Sequence, residues 1–277
     1  MFFPHSGKEP APPAAGSFAG LPVWLCLLPA LSVGCDPQND VIATTDGVCK
    51  VGTLGYGGAF GAGNVFTGWL ATAHGAASLE ASVLTDTLLA PFEVIVVQDV
   101  RVGSPGKAGI RLGIGREYSA DEVEVLSQWV AKGGGLMTLT AYSDPSEIAN
   151  VNRLLAPHGL SYDGTQVLPG SGAGSAPVTH WADHPLTRGV SRVGVNNAYP
   201  VQGGGTLIAW EPIVGRYDLG RAVESGSGHV FAWGDEWVTY DSEWNQHPEN
   251  QFAQFWVNAL TWLSRTAQCQ LALPSPE

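Results

Sequence analysis

The stretch 233–249 reads Trp-Gly-Asp-Glu-Trp-Val-Thr-Tyr-Asp-Ser-Glu-Trp-Asn-Gln-His-Pro-Glu. It gathers the carboxylates Asp235, Glu236, Asp241, Glu243 and Glu249 with His247 and the tryptophans Trp233, Trp237 and Trp244. Carboxylates beside aromatic rings suit a polyol or sugar: the acids accept hydrogen bonds from hydroxyls, and a ring face stacks on the sugar. The same oxygens suit a divalent cation. A facing pair, with Asp235 or Glu236 as acid or base, could act on a glycoside if the two groups stood ~5–10 Å apart. The competing reading is structural, with the tryptophans filling a core and the acids solvated or capping a final helix.

Other constellations are weaker. Gly55, Gly57, Gly58 and Gly61 give GxGxxxG, which departs from the dinucleotide fingerprint, and the next strand lacks an evident ribose-binding acid. A tight backbone turn accounts for these glycines. Ser143 has no sign of an activating histidine, so nucleophilic catalysis there lacks support.

These residues need elements to position them. Residues 92–98 (FEVIVVQ) are apolar on both faces, as a central parallel strand requires. Ser119 opens a capping box with Glu122, ahead of a helix over 120–132 whose Val123, Leu126, Trp129 and Val130 recur at helical spacing. Gly133 to Gly135 end it, and 136–140 (LMTLT) is the next strand. Strand, helix and strand make a βαβ crossover, hence a largely parallel sheet flanked by helices. Further helices are expected over 64–74, 145–157 and 249–265, the last with Pro248 at its start. Short strands are expected at 51–55, 79–84, 161–168, 189–195, 206–210, 221–224 and 229–233.

Ligands of such sheets bind beyond the carboxyl ends of the strands. The residues expected there are Phe60 after the first strand, Asp99 and Arg101 after the second, Tyr142 and Asp144 after the third, and Asp235, Glu236 and Trp237 after the last. Asp241, Glu243, Trp244 and His247 would form a neighbouring lid.

The chain has 277 residues, 13 Lys+Arg and 25 Asp+Glu, for a formal charge of -12. That acidity argues against a nucleic-acid binder, which needs a basic face for phosphate. Eight of the acids fall in 211–249, so the charge also marks the stretch richest in chemistry.

The N-terminus reads as a targeting segment. The apolar run 21–33 is shorter than the ~20 residues a membrane-spanning helix needs. It leads into Leu31-Ser32-Val33-Gly34-Cys35 and then a polar stretch, which resembles a bacterial lipobox, although Leu31 lies one place further from the cysteine than usual. The expected organisation is a signal peptide over 1–34, a lipidated Cys35, a tether over 35–50, one α/β domain over 51–265 and a tail over 266–277. Cys49 and Cys269 flank that domain and could pair in an oxidising envelope.

Several segments together resemble the class I glutamine amidotransferase-like fold, in the branch with ThuA-like and other non-catalytic relatives. They are FEVIVVQD, WVAKGGGLMTLTAY, HPLTRGV at 184–190, GHVFAWGDEW at 228–237 and FWVNALTWL near the end. The resemblance spans about 51–263 and implies a flavodoxin-like three-layer sandwich. It does not carry the activity across. The enzymes use a cysteine at a sharp strand–helix turn with a late HxE pair. Here His247-Pro248-Glu249 supplies the pair, set apart from its strand by an insertion, but no cysteine follows 136–140. The expectation is therefore a lipid-anchored envelope domain, periplasmic or outer-surface, that binds a carbohydrate or a partner protein without catalysis. No organic cofactor is expected, and a divalent cation is admitted only by the acids. The alternatives are a glycan-acting hydrolase using Asp235 or Glu236, and an assembly module with a vestigial pocket.

Overall fold

The computed structural model describes residues 49–55, 66, 68–71, 76–80, 82–98, 100–102, 115–140, 145–168, 176–211 and 216–264, with Glu80, Asp241 and Ser242 described in their backbone alone. In chain order the strands are β1 (Val51–Gly55), β2 (Ala77–Glu80), β3 (Val94–Gln98), β4 (Gly135–Leu139), β5 (Leu160–Tyr162), β6 (Ala176–Val178), β7 (His180–Trp181), β8 (Val193–Val195), β9 (Val201–Gly203), β10 (Thr206–Glu211), β11 (Tyr217–Ser225) and β12 (Gly228–Trp233). The helices are α1 (Asp86–Leu89), α2 (Ala120–Ala131), α3 (Pro145–Leu155), α4 (Asp241–Gln246) and α5 (Phe252–Ser264). Phe66 and residues 68–71 are also helical.

Eight strands form one sheet in the order β2-β1-β3-β4-β12-β11-β10-β7. The first five are mutually parallel. The last three continue it antiparallel, so the sheet is mixed and largely parallel. Side chains alternate between two cores, as period-2 pleating demands. Val94, Val96, Met137, Leu139, Phe231 and Trp233 point to the side of α5. Ile95, Val97, Leu136, Val230 and Ala232 point to the side of α2 and α3. The α/β three-layer arrangement is thus present, and double coverage explains why β3, β4 and β12 are mostly apolar, with one polar residue each in Gln98, Thr138 and His229. Each such side chain contributes about 1.5–3 kcal/mol when fully buried.

The helix boundaries follow local chemistry. Ser119 accepts from the Glu122 amide, and the Glu122 carboxylate accepts from the Ser119 amide, completing the capping box of α2. The far end of α2 rests on the start of β12. A Cβ on Gly228 would sit 2.0 Å from the Val130 carbonyl oxygen, so only glycine allows this approach.

The region 233–252 departs from the sequence-based expectation. The final helix starts at Phe252 rather than 249, and Pro248 lies in a turn closed by the Asn250 amide donating to the His247 carbonyl. The reason is Gln251. Its amide donates to Arg192, while its side-chain oxygen accepts from the amides of Ser191 and Arg192, so it ties down the 189–192 loop instead of extending the helix. The short α4 was not anticipated. The expected strands at 161–168 and 189–195 shrink to β5 and β8, and β7 and β9 are too short to show a period in sequence.

Glu122 does more than cap. It is buried, and both its oxygens bind Arg116, at 2.7 Å each, while one also accepts from the Leu84 amide. Burial would raise its pKa, but the Arg116 and backbone hydrogen bonds outweigh that and hold it at about 2, below the ordinary 4.5. A depressed carboxylate contributes stability above its unfolded pKa and loses it as pH falls through the folded one. The stability gap between wild type and Glu122→Gln, measured by chemical denaturation, should therefore be widest above pH 4.5 and close toward pH 2.

Candidate functional site

Parallel register brings the strand ends abreast. Gly55 pairs with Gln98, Val97 with Thr138, and Leu139 with Trp233. Beyond this edge lie the Gln98 side chain, Thr140 and the turn that follows β12.

That turn is built around Gly234 and Asp235. The Gly234 carbonyl accepts from the Tyr199 amide at 2.7 Å, and a Cβ on Gly234 would meet the Tyr199 oxygen at 2.0 Å. Asp235 is fully enclosed at 0% exposure. Its two oxygens accept separately from the backbone amides of Asn196 (2.6 Å) and Trp237 (2.5 Å). Burial raises its pKa well above the ordinary range; the two amides oppose this, and the nearby Glu236 and Glu243 add to it. Expected as a crevice-lining acid or a catalytic carboxylate, Asp235 instead holds the turn shut, because both oxygens are occupied by backbone and neither reaches solvent.

Glu236 takes a different position. One oxygen accepts from Gln98 Nε2 at 2.7 Å, the other from the Tyr240 hydroxyl at 2.5 Å. Thr239 also donates to the Glu236 carbonyl. The side chain therefore bridges the end of β3 to the turn after β12. Gln98 Oε1 is buried with no hydrogen-bond partner, and so is Thr140 Oγ1 past the end of β4. Met137 and Leu139 lie on the α5 side with Val96, so alternation turns Thr140 to the face opposite Gln98. Trp237 is half-buried, edge-on to Tyr240 at 5.6 Å.

The expected lid is partly anchored. Trp244 donates its indole N–H to the Val238 carbonyl and packs among Phe66, Trp69 and Phe252, so its ring belongs to the core. Glu243 is buried. His247 pairs with Glu249 at 3.2 Å on the surface. Asp241 lies at the start of α4, and Arg101 is half-buried. Phe60, Asp99, Tyr142, Asp144, Cys35 and Cys269 lie outside the described residues.

Sequence reasoning missed Gln98, Thr140, Asn196 and Tyr240, and also Glu147, buried at the start of α3 and close enough to Tyr162 to raise its pKa alongside burial. A usable signal existed for two of them: Gln98 and Thr140 are the polar last residues of mainly apolar runs, so they fall at the carboxyl edge. Among the described residues no cluster of three or more His, Cys, Asp or Glu could hold a metal. Nor is any described helix long and apolar enough to cross a membrane. Two surface grooves lie elsewhere, of about 500 Å³ beside Trp181, His184 and Arg188 and about 390 Å³ beside Asp163, Arg216 and Tyr217.

No protein-family model matches the chain, and no curated protein matches it. Solved structures do. The cytoplasmic protein STM1381 from Salmonella typhimurium LT2 is 16% identical, with a TM-score of 0.55 over 77% of this chain and 99% of its own. The mmIFT52 N-terminal domain is 12% identical, with a TM-score of 0.54 over 79% and 98%. A protein described as a GMP synthase component, from Thermoplasma acidophilum, is 10% identical, with a TM-score of 0.46 over 80% and 94%. At these identities the likeness is one of fold.

Asp235→Asn places an amide NH₂ against one of two donors, and should cost about 1–3 kcal/mol. A carboxyl with a raised folded pKa contributes stability below its unfolded value and loses it as pH rises through the folded one. Denaturation curves should show the wild-type advantage over Asp235→Asn largest at acidic pH and shrinking above the ordinary 3.8.

Proposed function

We propose that this chain is an envelope-anchored, amidotransferase-like domain that binds a carbohydrate, without catalysis, at the carboxyl ends of its parallel strands. The observation that carries the reading is Gln98 Oε1, buried without a hydrogen-bond partner at the end of β3 while its Nε2 donates to Glu236. Leaving such a group unpaired costs about 1–3 kcal/mol. A polyol hydroxyl that donates to the carboxamide oxygen satisfies it. The half-buried Trp237 ring, edge-on to the Tyr240 that donates to Glu236, offers apolar surface to a sugar face.

Two facts favour binding over turnover. No cysteine follows β4, where the amidotransferases place their nucleophile. Asp235, the acid nearest the turn, is enclosed by backbone amides. The anchor rests on the leader and Cys35, and radiolabelled palmitate should enter the wild type and not Cys35→Ser.

Trp237→Ala tests the ring while leaving the Gln98–Glu236 hydrogen bond in place. The melting temperature of the empty variant gives the baseline for the ligand series. A thermal-shift series with glucose, N-acetylglucosamine and a β-glucan oligosaccharide should raise the wild-type Tm with concentration, and Trp237→Ala should blunt that rise. No shift with any sugar would remove the carbohydrate reading and leave a protein ligand.

A further inference from the structure

Cys49 is disulfide-bonded, and its side chain is 1% exposed. The chain holds three other cysteines: Cys26, Cys35 and Cys269. We infer that Cys49 is cross-linked to Cys269, so that the C-terminal segment is stapled to the start of β1.

Three observations lead there. The first is the face. Cys49 belongs to the core on the α5 side of the sheet, together with Val51, Leu260 and Leu263. The second is the sheet end. Leu263, one residue before α5 ends, lies against Gly135 at the start of β4: a Cβ there would be 2.6 Å from the Leu263 oxygen. Gly135 donates to Glu93, and Glu93 donates to Lys50, the neighbour of Cys49. The end of α5 is therefore about two strand spacings, ~10 Å, from the start of β1. The third is reach. From Ser264 to Cys269 is five residues, which can extend roughly 17 Å.

The remaining cysteines are removed by chemistry, and this step rests on the envelope reading proposed for the chain. A lipid on Cys35 occupies its sulfur as a thioether, and Cys26 leaves with the signal peptide. When the bond forms, the two thiols lose two protons and two electrons to a disulfide-carrying oxidoreductase, which is reduced to its dithiol as the S–S bond is made by exchange. Such a bond persists in an oxidising compartment.

Non-reducing peptide mapping of the mature protein from envelope fractions should recover a Cys49–Cys269 peptide, two hydrogens lighter than its free parts. Cys49→Ser and Cys269→Ser should each lower Tm by about 5–15 °C, and the double variant no further. Recovery of alkylated free Cys49, or of Cys49 joined to Cys26 or Cys35, would overturn the assignment. Palmitate labelling keeps the two ideas apart: an unlabelled protein that still yields the Cys49–Cys269 peptide loses its anchor and keeps its staple.

Discussion

The parallel alignment of β3, β4 and β12 is the constraint from which the other features descend. Three apolar strands buried on both faces cannot slip, because a shift of one residue would swap every side chain between the two cores. Val96, Met137 and Phe231 share one layer, while Ile95, Leu136 and Val230 share the other. Once that register is set, the polar residues ending the strands have no choice of position. Gln98, Thr140 and the turn at Gly234 must meet at one edge.

At that edge the chain spends its buried polar groups unevenly. Asp235 uses both oxygens on backbone and locks the turn. Glu236 uses both on side chains and ties β3 to β12. Gln98 Oε1 is left over. Neighbouring acids with nearly the same burial thus divide the work: one fixes the geometry, the other holds the Gln98 carboxamide, whose oxygen still lacks a partner. Buried polar groups in native folds are mostly satisfied, and the Gln98 oxygen is one of the exceptions among the described residues.

Much of the architecture was legible beforehand. The FEVIVVQ run, the Ser119–Glu122 box and the LMTLT strand each carry a local signal, in burial pattern, capping or period, that does not depend on distant residues. The antiparallel half was less so. β7 and β9 have two and three residues and no period, and they exist because neighbours offer them hydrogen bonds. The start of α5 was misplaced for a similar reason: Gln251 is drawn to Ser191 and Arg192, some 60 positions away, and nothing around Pro248 reports that attraction.

The amino-acid sequence by itself determined the class of fold, the central strands, the missing nucleophile after β4, and the acidic, tryptophan-rich stretch where a site would fall. Composition and short-range periodicity encode these, since they follow from which residues avoid water and how often they recur. Tertiary structure alone decided the roles within that stretch. Asp235 and Glu236 are adjacent acids with no difference that a sequence pattern could register. They part because one side chain turns toward the amides of Asn196 and Trp237, the other toward Gln98 and Tyr240. Likewise Trp244, which beside Glu243 reads as a lid residue, packs into the aromatic core with Phe66 and Phe252. Burial and hydrogen-bond partners are properties of packing between distant segments, and they come into being only when the sheet closes.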